Sequence, residues 1–496
     1  MAGGAAGGMA GGAAGGMAGG AAGGAAGGAA GGVATPPTYF VDFAVGNDNN
    51  PGTQAMPWQT AAKVNSLNAT QLPPGSTVNF QGGQTWTERL IPPTSGDAGL
   101  VIAFGTYGAG VATFDGTGNT NTGLDVRNRA YLSFSNLRVR NFQESFCAYL
   151  ESVDHLAFTD VELHNCIEGY HASGTGECDD ITVTRGNLHD FVALPDGGGT
   201  NNDGLSLPAT CSRWSVTDTT IERAQRTCVN DLSGSSTFLR LTARDCGLPA
   251  TATLRSSMTL RGSNTTVQYG VFSNAGASCL DVRSAGSVIE ANQISSCGGS
   301  AIAVTTGATG THRIRRNRIW DVTRGLTAAA ATVNASNNSV IGGRVAAGST
   351  EWAYGVRPGA TVAIENNLST GPMGFALSVQ GFDGGQLADA GPAGMPVGYV
   401  ERANWFDLTM GQGLEWEGTV TEADYLLLSG QGTGSFFVSP MLMSIVPAAP
   451  NFTPMNAAIR NTGVTNPASG AMTVGCDGGI TTYCETAPEP GAVELP

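Results

Sequence analysis

The stretch LSFSNLRV at residues 132–139 returns with changed letters as LAFTDVEL at 156–163, ITVTRGNL at 181–188 and WSVTDTTI at 214–221. Each copy alternates apolar residues with Ser, Thr or a charge, breaks at Asn, Asp or Gly, and resumes. Alternation of period two marks a strand with one buried face. The pattern continues through LRLTARDC (239–246), TVQYGVF (266–272), VIEANQI (288–294), RIRRNRI (313–319) and VAIENNL (362–368). With Phe134, Phe158, Val183, Val216, Leu241, Val267, Ile289, Ile314 and Ile364 as equivalents, most steps are roughly 22 to 33 residues, a solenoid period, with a weakly marked copy near Ala335.

Each repeat holds two or three strands of roughly three to five residues, too few inward side chains to fold alone, so those side chains must stack along one axis. Nothing reads as a helix per repeat, and the fixed Leu/Asn consensus of leucine-rich repeats is missing. A sandwich or propeller needs hairpin turns or blade-length repeats that do not occur. The fold expected is therefore all-β, a right-handed parallel β-helix. Asn141, Asn165, Asn292 and Asn317 at turn ends suit left-handed backbone and side-chain ladders between coils.

The remaining composition fits. Of 496 residues, 73 are Gly and 13% are charged, and 24 Lys+Arg stand against 39 Asp+Glu, for a net charge of -15. Such a chain has no basic footprint for nucleic acid. No run of about 20 apolar residues occurs, so no transmembrane span is expected. Ten cysteines include Cys147/Cys166, Cys228/Cys246 and Cys279/Cys297 at recurring spacings, and Cys476/Cys484 near the end. The absence of a CxxC or Cys/His cluster argues against zinc. Disulfides in an oxidising compartment and buried thiols in a β core both fit the spacing, which does not reveal connectivity. Residues 1–32 are a period-four Ala/Gly array, read as a flexible spacer or as an ordered element for self-association. They lack the basic and apolar regions of a secretory signal, so export is expected with the signal outside this sequence.

The N-terminal stretch YFVDFAVGNDNNPGTQAMPWQTAAKVNSL (39–67), followed by LPPGSTVNFQGGQTWTERLIPPTSGDAGLVIAFGTYGAG (72–110), resembles the entry of bacterial secreted, pectate-lyase-like parallel β-helix proteins. There a first strand, an acidic G-x-D-x-N-P-G-T turn, P-W-x-T, a short capping helix and L-x-P-G-D-x-V follow in order. Here Ser76 replaces the usual Asp. The helix reads Thr60 to Leu67, with Thr60 as N-cap. The end, SPMLMSIVPAAPNFTPMNAAIRNTGV with PEPGAVELP, is similar to the choice-of-anchor Q segment, which typically closes D-I-G-A-x-E. The resemblance implies the fold and export. It leaves activity open, because such proteins include lyases, hydrolases, epimerases and non-catalytic surface proteins. The organisation expected is a tail at 1–37, a cap and first coils at 38–122, regular coils at 123–375, and irregular last coils with a C-terminal segment at 376–496.

On a β-helix, outward side chains of successive coils form rows about 4.8 Å apart. With Leu124/Val126, Leu205/Leu207 and Leu280/Val282 inward, the outward set holds Asp125, Arg127, Tyr149, Glu151, His171, Ser206, Asn230, Thr259, Arg261, Asp281 and Arg283. Arg suits uronate or sulfate and Tyr suits sugar stacking; a solvated polar face is the bland alternative. The long insertion HDFVALPDGGGTNNDGLSL (189–207) is where a groove wall would be built. Tyr149, Glu151, Asp196, Asn230 and Asp281 are the candidate binding residues. The insertion's Asp and Asn oxygens could hold Ca²⁺, although no D-x-D-x-D-G loop is present; no other cofactor is indicated.

Asn202-Asp203-Gly204 resembles the first motif of polygalacturonase-type glycosidases, but the following Asp-Asp pair and Gly-His-Gly are missing. Inverting hydrolysis needs two carboxylates straddling the bond, and Asp203 with Asp231 is the pair to test. A β-eliminating lyase needs a base and a neutraliser for the uronate carboxylate. Lys63, the only lysine, falls in the cap. His171, Arg261 and Arg283 remain as candidate bases. Two functions follow: an exported protein that binds or cleaves an acidic polysaccharide, as lyase or hydrolase, and a structural or adhesive surface protein anchored or assembled through its Ala/Gly tail.

Overall fold

The computed structural model describes residues 35–118, 120–191, 202–248, 255–343, 351–357, 359–379, 399–408, 412–416, 419–420, 435–437, 442–444 and 451–454. The Ala/Gly array, Asp196, Cys476, Cys484 and the anchor-like close lie outside them. The chain is a parallel β-helix. Among the described residues its strands form one 27-stranded sheet, parallel except for one antiparallel pair near its end, one 13-stranded parallel sheet, and a separate two-stranded antiparallel one. The larger sheet supplies two of three faces. They are continuous in β1 (Leu124–Ser135) and β2 (Phe146–Thr159) and divide into separate short strands in later coils.

A single inward ladder runs from Tyr39 through Val78, Phe104, Phe134, Phe158, Val183, Val216, Phe238, Val267, Ile289, Ile314 and Ala335 to Ile364. The rings of Phe104, Phe134 and Phe158 stack at 5.4 and 5.0 Å. Ala335 fills the weakly marked coil. Leu241 does not belong to this ladder: Phe238 holds its place, and Leu241 lies beyond the next corner. The alternation of Leu239 and Leu241 imitates that of Leu132 and Phe134, but Arg240 between them is a corner residue at φ 53°.

Corners use left-handed backbone in register, as at Asp160, Arg185, Asp218 and Arg240 (φ 55°, 53°, 52° and 53°). Their alternating charges pair between coils, Asp160 with Arg185 and Asp218 with Arg240. Exposed pairs of this kind contribute little to stability. The turn asparagines divide into two kinds. Asn141 and Asn165 take left-handed backbone (φ 61° and 57°), and the Asn165 amide donates to Asn141 Oδ1 at 2.6 Å. Asn292 and Asn317 instead start a buried ladder that continues through Asn338 and Asn367 to Asn404, each Nδ2 donating to the next Oδ1 at 2.9–3.1 Å.

Disulfides join Cys147–Cys166, Cys228–Cys246 and Cys279–Cys297, each closing nearly one coil, and also Cys178–Cys211. The last pair are register partners on adjacent coils, hidden in sequence by the insertion between them. Four disulfides fit an oxidising compartment. At the N-terminal end, helix α1 (Ala61–Asn65) carries the expected cap: the Lys63 N–H donates to Thr60 Oγ1 at 3.0 Å. No helix among the described residues is long and apolar enough to cross a membrane.

Candidate functional site

Five further strands of the first face carry the site: β3 (Glu168–Ala172), β4 (Leu205–Leu207), β5 (Val229–Asp231), β6 (Met258–Leu260) and β7 (Leu280–Val282). Their register sets Asp125, Tyr149, His171, Ser206, Asn230, Thr259 and Asp281 in one outward row. This is the row expected from alternation. Inward neighbours such as Leu205, Leu207, Val229, Met258, Leu280 and Val282 are buried and hold it in place.

Over β5 to β7 the row floors a groove of about 600 Å³ lined by Asn230, Thr259, Asp281 and four arginines, Arg226, Arg255, Arg261 and Arg283. The arginines form two walls. Arg226 and Arg255 precede Val229 and Met258 by the same three residues, while Arg261 and Arg283 follow Met258 and Leu280 by three. Arg283 pairs with Asp281, two residues before it, at 2.8 Å, and Arg226 with Asp203 at 3.1 Å. Arg255 and Arg261 make no ion pair with any described residue. Asp281 also accepts from the Thr305 hydroxyl at 3.0 Å, so it holds the floor together and does not stand free.

Beyond the Arg226 end lies a buried acid pair. Phe146 is the register partner of Glu168, and Asp203 follows Glu168 at the same level on the next coil. Both carboxyls are fully buried. Glycines behind them let the coils close: a Cβ at Gly204 would come within 2.2 Å of Ile221. Burial raises the Glu168 carboxyl, against the pull of His171, whose Nδ1 lies 2.5 Å from Glu168 Oε2. Burial pushes Asp203 up to about 8, despite the opposing pull of Arg226. Thr227 N–H and the Asn230 side chain also oppose that shift, but neither Asp203 oxygen makes a well-formed hydrogen bond. The His171 ring stacks on Phe146 at 4.0 Å and lies 5.5 Å from Tyr149.

The proposed Asp203–Asp231 pair is not assembled. Asp231 faces the interior, in the inward position between Leu207 and Leu260, because the alternation that turns Asn230 outward turns its neighbour inward. There Asp231 accepts from the Ser233 N–H at 2.9 Å and the Thr265 hydroxyl at 3.1 Å. Burial raises it to about 6, partly offset by those bonds. A carboxyl raised on folding is neutral in both states at low pH and costs stability as pH climbs through its two values. Asp231→Asn should therefore remove a loss of order 3 kcal/mol that the wild type suffers between about pH 4 and pH 6. Paired urea-unfolding curves at pH 4 and pH 7 measure it; equal pH responses of the two proteins would contradict the assignment.

Tyr149 and Glu151 lie three coils before Asn230, outside the groove. Tyr149 donates to Glu151 Oε2 at 3.3 Å, and the Arg127 guanidinium sits 5.6 Å from its ring. Residues 192–201 of the insertion, Asp196 among them, lie outside the described residues, and with them part of the oxygen set considered for Ca²⁺. His189 and Asp190 belong to a paired network on the third face, where Arg223 and His189 hold Asp190 down to about 2. Glu168, Arg226 and Arg255 were missed by sequence reasoning. The arginines had a signal, an Arg at equal offset before two consecutive strands; Glu168 had none, because corners break the alternation.

No protein-family model matches the chain. A stretch of 131 residues is 28% identical to the lacto-N-biosidase of Bifidobacterium longum subsp. longum, covering 21% of this chain and 8% of that protein's length. Among solved structures, pectate lyase Pel9A is similar with a TM-score of 0.48 at 15% identity, covering 94% of this chain and 98% of that one. The GH136 lacto-N-biosidase from Eubacterium ramulus follows with a TM-score of 0.44 at 12% identity, covering 68% of each chain.

Proposed function

We propose that this is an exported β-helix protein whose β5–β7 groove binds an acidic polysaccharide, with uronate or sulfate groups as the recognised anions. One observation carries the reading: a chain of net charge -15 gathers four arginines around one groove, and two of them have no ion-pair partner among the described residues. Elsewhere most arginines are engaged by carboxylates on neighbouring coils, as Arg185, Arg213, Arg223 and Arg240 are. Unpaired guanidiniums beside amide and hydroxyl groups favour a ligand with repeated planar anions and hydroxyls. A row structure that repeats at every coil suits a polymer better than a single small anion.

The test is a binding panel of polygalacturonate, alginate, chondroitin sulfate and neutral galactan, at 20 and 300 mM NaCl. Acidic polymers are expected to bind and neutral galactan not, with affinity falling steeply in salt because the contacts are exposed and screened. Equal retention of the neutral polymer, or no retention of any acidic one, would refute the reading. The adhesive alternative depends on residues 1–32, and deletion of that array should then abolish self-association while leaving glycan retention unchanged.

A further inference from the structure

We propose that the outward surface lying over the inner ladder from Phe134 to Val267 binds ice. It is a different face from the one that carries the arginine groove, and the inference stands apart from the glycan reading. Strand register sets Ser133, Ala157, Thr182, Ser215, Thr237 and Thr266 in one row over six successive coils. Two residues further along the same strands, Ser135, Thr159, Thr184 and Thr217 form a second row, which Leu239 and Gln268 continue. Nine of these twelve positions are Ser or Thr, none is charged and none is aromatic. The rows pair from coil to coil without a register shift, and they end where Glu290, Arg313 and Arg315 take the same positions. In a chain of net charge -15, a surface with no charge over six coils complements an uncharged partner.

The hydroxyls are available. All nine residues that carry them are at least partly exposed, and the one side-chain hydrogen bond they make to described residues is a long one, from Thr182 to the Leu156 carbonyl at 3.5 Å. Elsewhere hydroxyls are used inside the fold, as Ser233 and Ser236 are with each other and Thr265 is with Asp231. The surface is also stiff. Threonine is restricted at χ1, the ladder beneath is at most 1% exposed, and its Phe134 and Phe158 rings stack at 5.0 Å. The Cys178–Cys211 disulfide further ties the coils of Thr182 and Ser215. Fixed donors and acceptors lose little freedom on binding, so many weak contacts made at once add up. Their spacing selects the partner: about 4.8 Å between coils and about 6.6 Å between alternate residues of a strand lie within about a tenth of the 4.5 and 7.4 Å repeats of the ice prism plane. A crystalline polysaccharide is less suited, because a surface that stacks on sugar rings presents aromatic side chains and these rows have none.

The experiment grows an ice hemisphere slowly from a dilute solution of the fluorescently labelled full chain and measures the protein taken into the ice, with crystal growth in a supercooled droplet as a second readout. Wild type should enter the ice and arrest growth. Thr184→Tyr combined with Thr217→Tyr places two large rings in the second row and should lose both effects, while urea midpoints show that the coil is intact. Ser133→Tyr combined with Ser135→Tyr repeats the test two coils away, so that a folding failure of the first pair does not decide the matter. Thr242→Tyr, on the third face, and the Arg255→Ala, Arg261→Ala double variant of the groove should both behave as wild type. Exclusion of the wild type from ice overturns the proposal, as does uptake of both tyrosine pairs at the wild-type level. Retention on crystalline cellulose or chitin that the tyrosine pairs abolish, without uptake into ice, would assign the face to a neutral polymer and equally overturn it. None of these outcomes bears on the acidic-polymer panel, whose contacts lie on the other face.

Discussion

Replacing Arg255 and Arg261 together with alanine is expected to lower affinity for an acidic polymer about 100-fold or more at low salt. Both line the groove, and neither has an ion-pair partner among the described residues to screen its charge. A charge-assisted hydrogen bond contributes enough that each loss is worth roughly tenfold. The rest of a protein of net charge -15 repels the same ligand, so there is little background attraction to mask the effect. Single variants should each show part of the loss. Arg240→Ala is the control: it removes the same charge from an exposed corner where the arginine is already paired with Asp218, and retention should stay within about twofold of wild type. Affinity electrophoresis through polygalacturonate gels at 20 mM NaCl reads all four. If the double variant migrates like wild type, the groove is not the binding site.

Asn338→Ala should produce the largest loss of stability, of order 3–5 kcal/mol. Asn338 is buried in the middle of the asparagine ladder. Its Oδ1 accepts from Asn317 N and Nδ2 at 3.1 and 2.9 Å, and its Nδ2 donates to the Ile314 carbonyl at 2.8 Å and to Asn367 Oδ1 at 3.0 Å. Alanine leaves the Asn317 amide and the Ile314 carbonyl buried without these partners, and each such orphan costs about 1–3 kcal/mol. Asn338→Asp keeps the shape but removes both donors and adds a buried charge, so it should be no better tolerated. Asn141→Ala should cost only about 1 kcal/mol, mainly the left-handed backbone penalty, because that side chain is partly exposed. Urea unfolding of the three variants separates these cases. A small effect for Asn338→Ala would mean that water replaces the ladder.

The same asparagines mark how far local pattern carries. Alternation and a roughly 22–33-residue period were enough for a parallel β-helix, because inward and outward facing follow from strand geometry alone. Thr60 as N-cap and the outward row from Tyr149 through His171, Asn230, Thr259 and Asp281 follow from the same short-range rules. Asp231 was legible too: once Asn230 faces outward, the next residue cannot.

What the amino-acid sequence determined by itself is therefore the coil, its inward stripe, its polar face and its capped N-terminal end, all governed by neighbours within a few residues. Only the tertiary structure decided what meets at the corners. Left-handed residues turn the backbone there, the alternation lapses, and variable coil lengths decide which side chains come level. That is why Phe238 rather than Leu241 joins the inner ladder, why Cys178 meets Cys211, and why the buried Glu168 and Asp203 adjoin Arg226 and His171. Contacts between coils are non-local, and their register is set by the closure of each turn, which no short stretch of sequence contains.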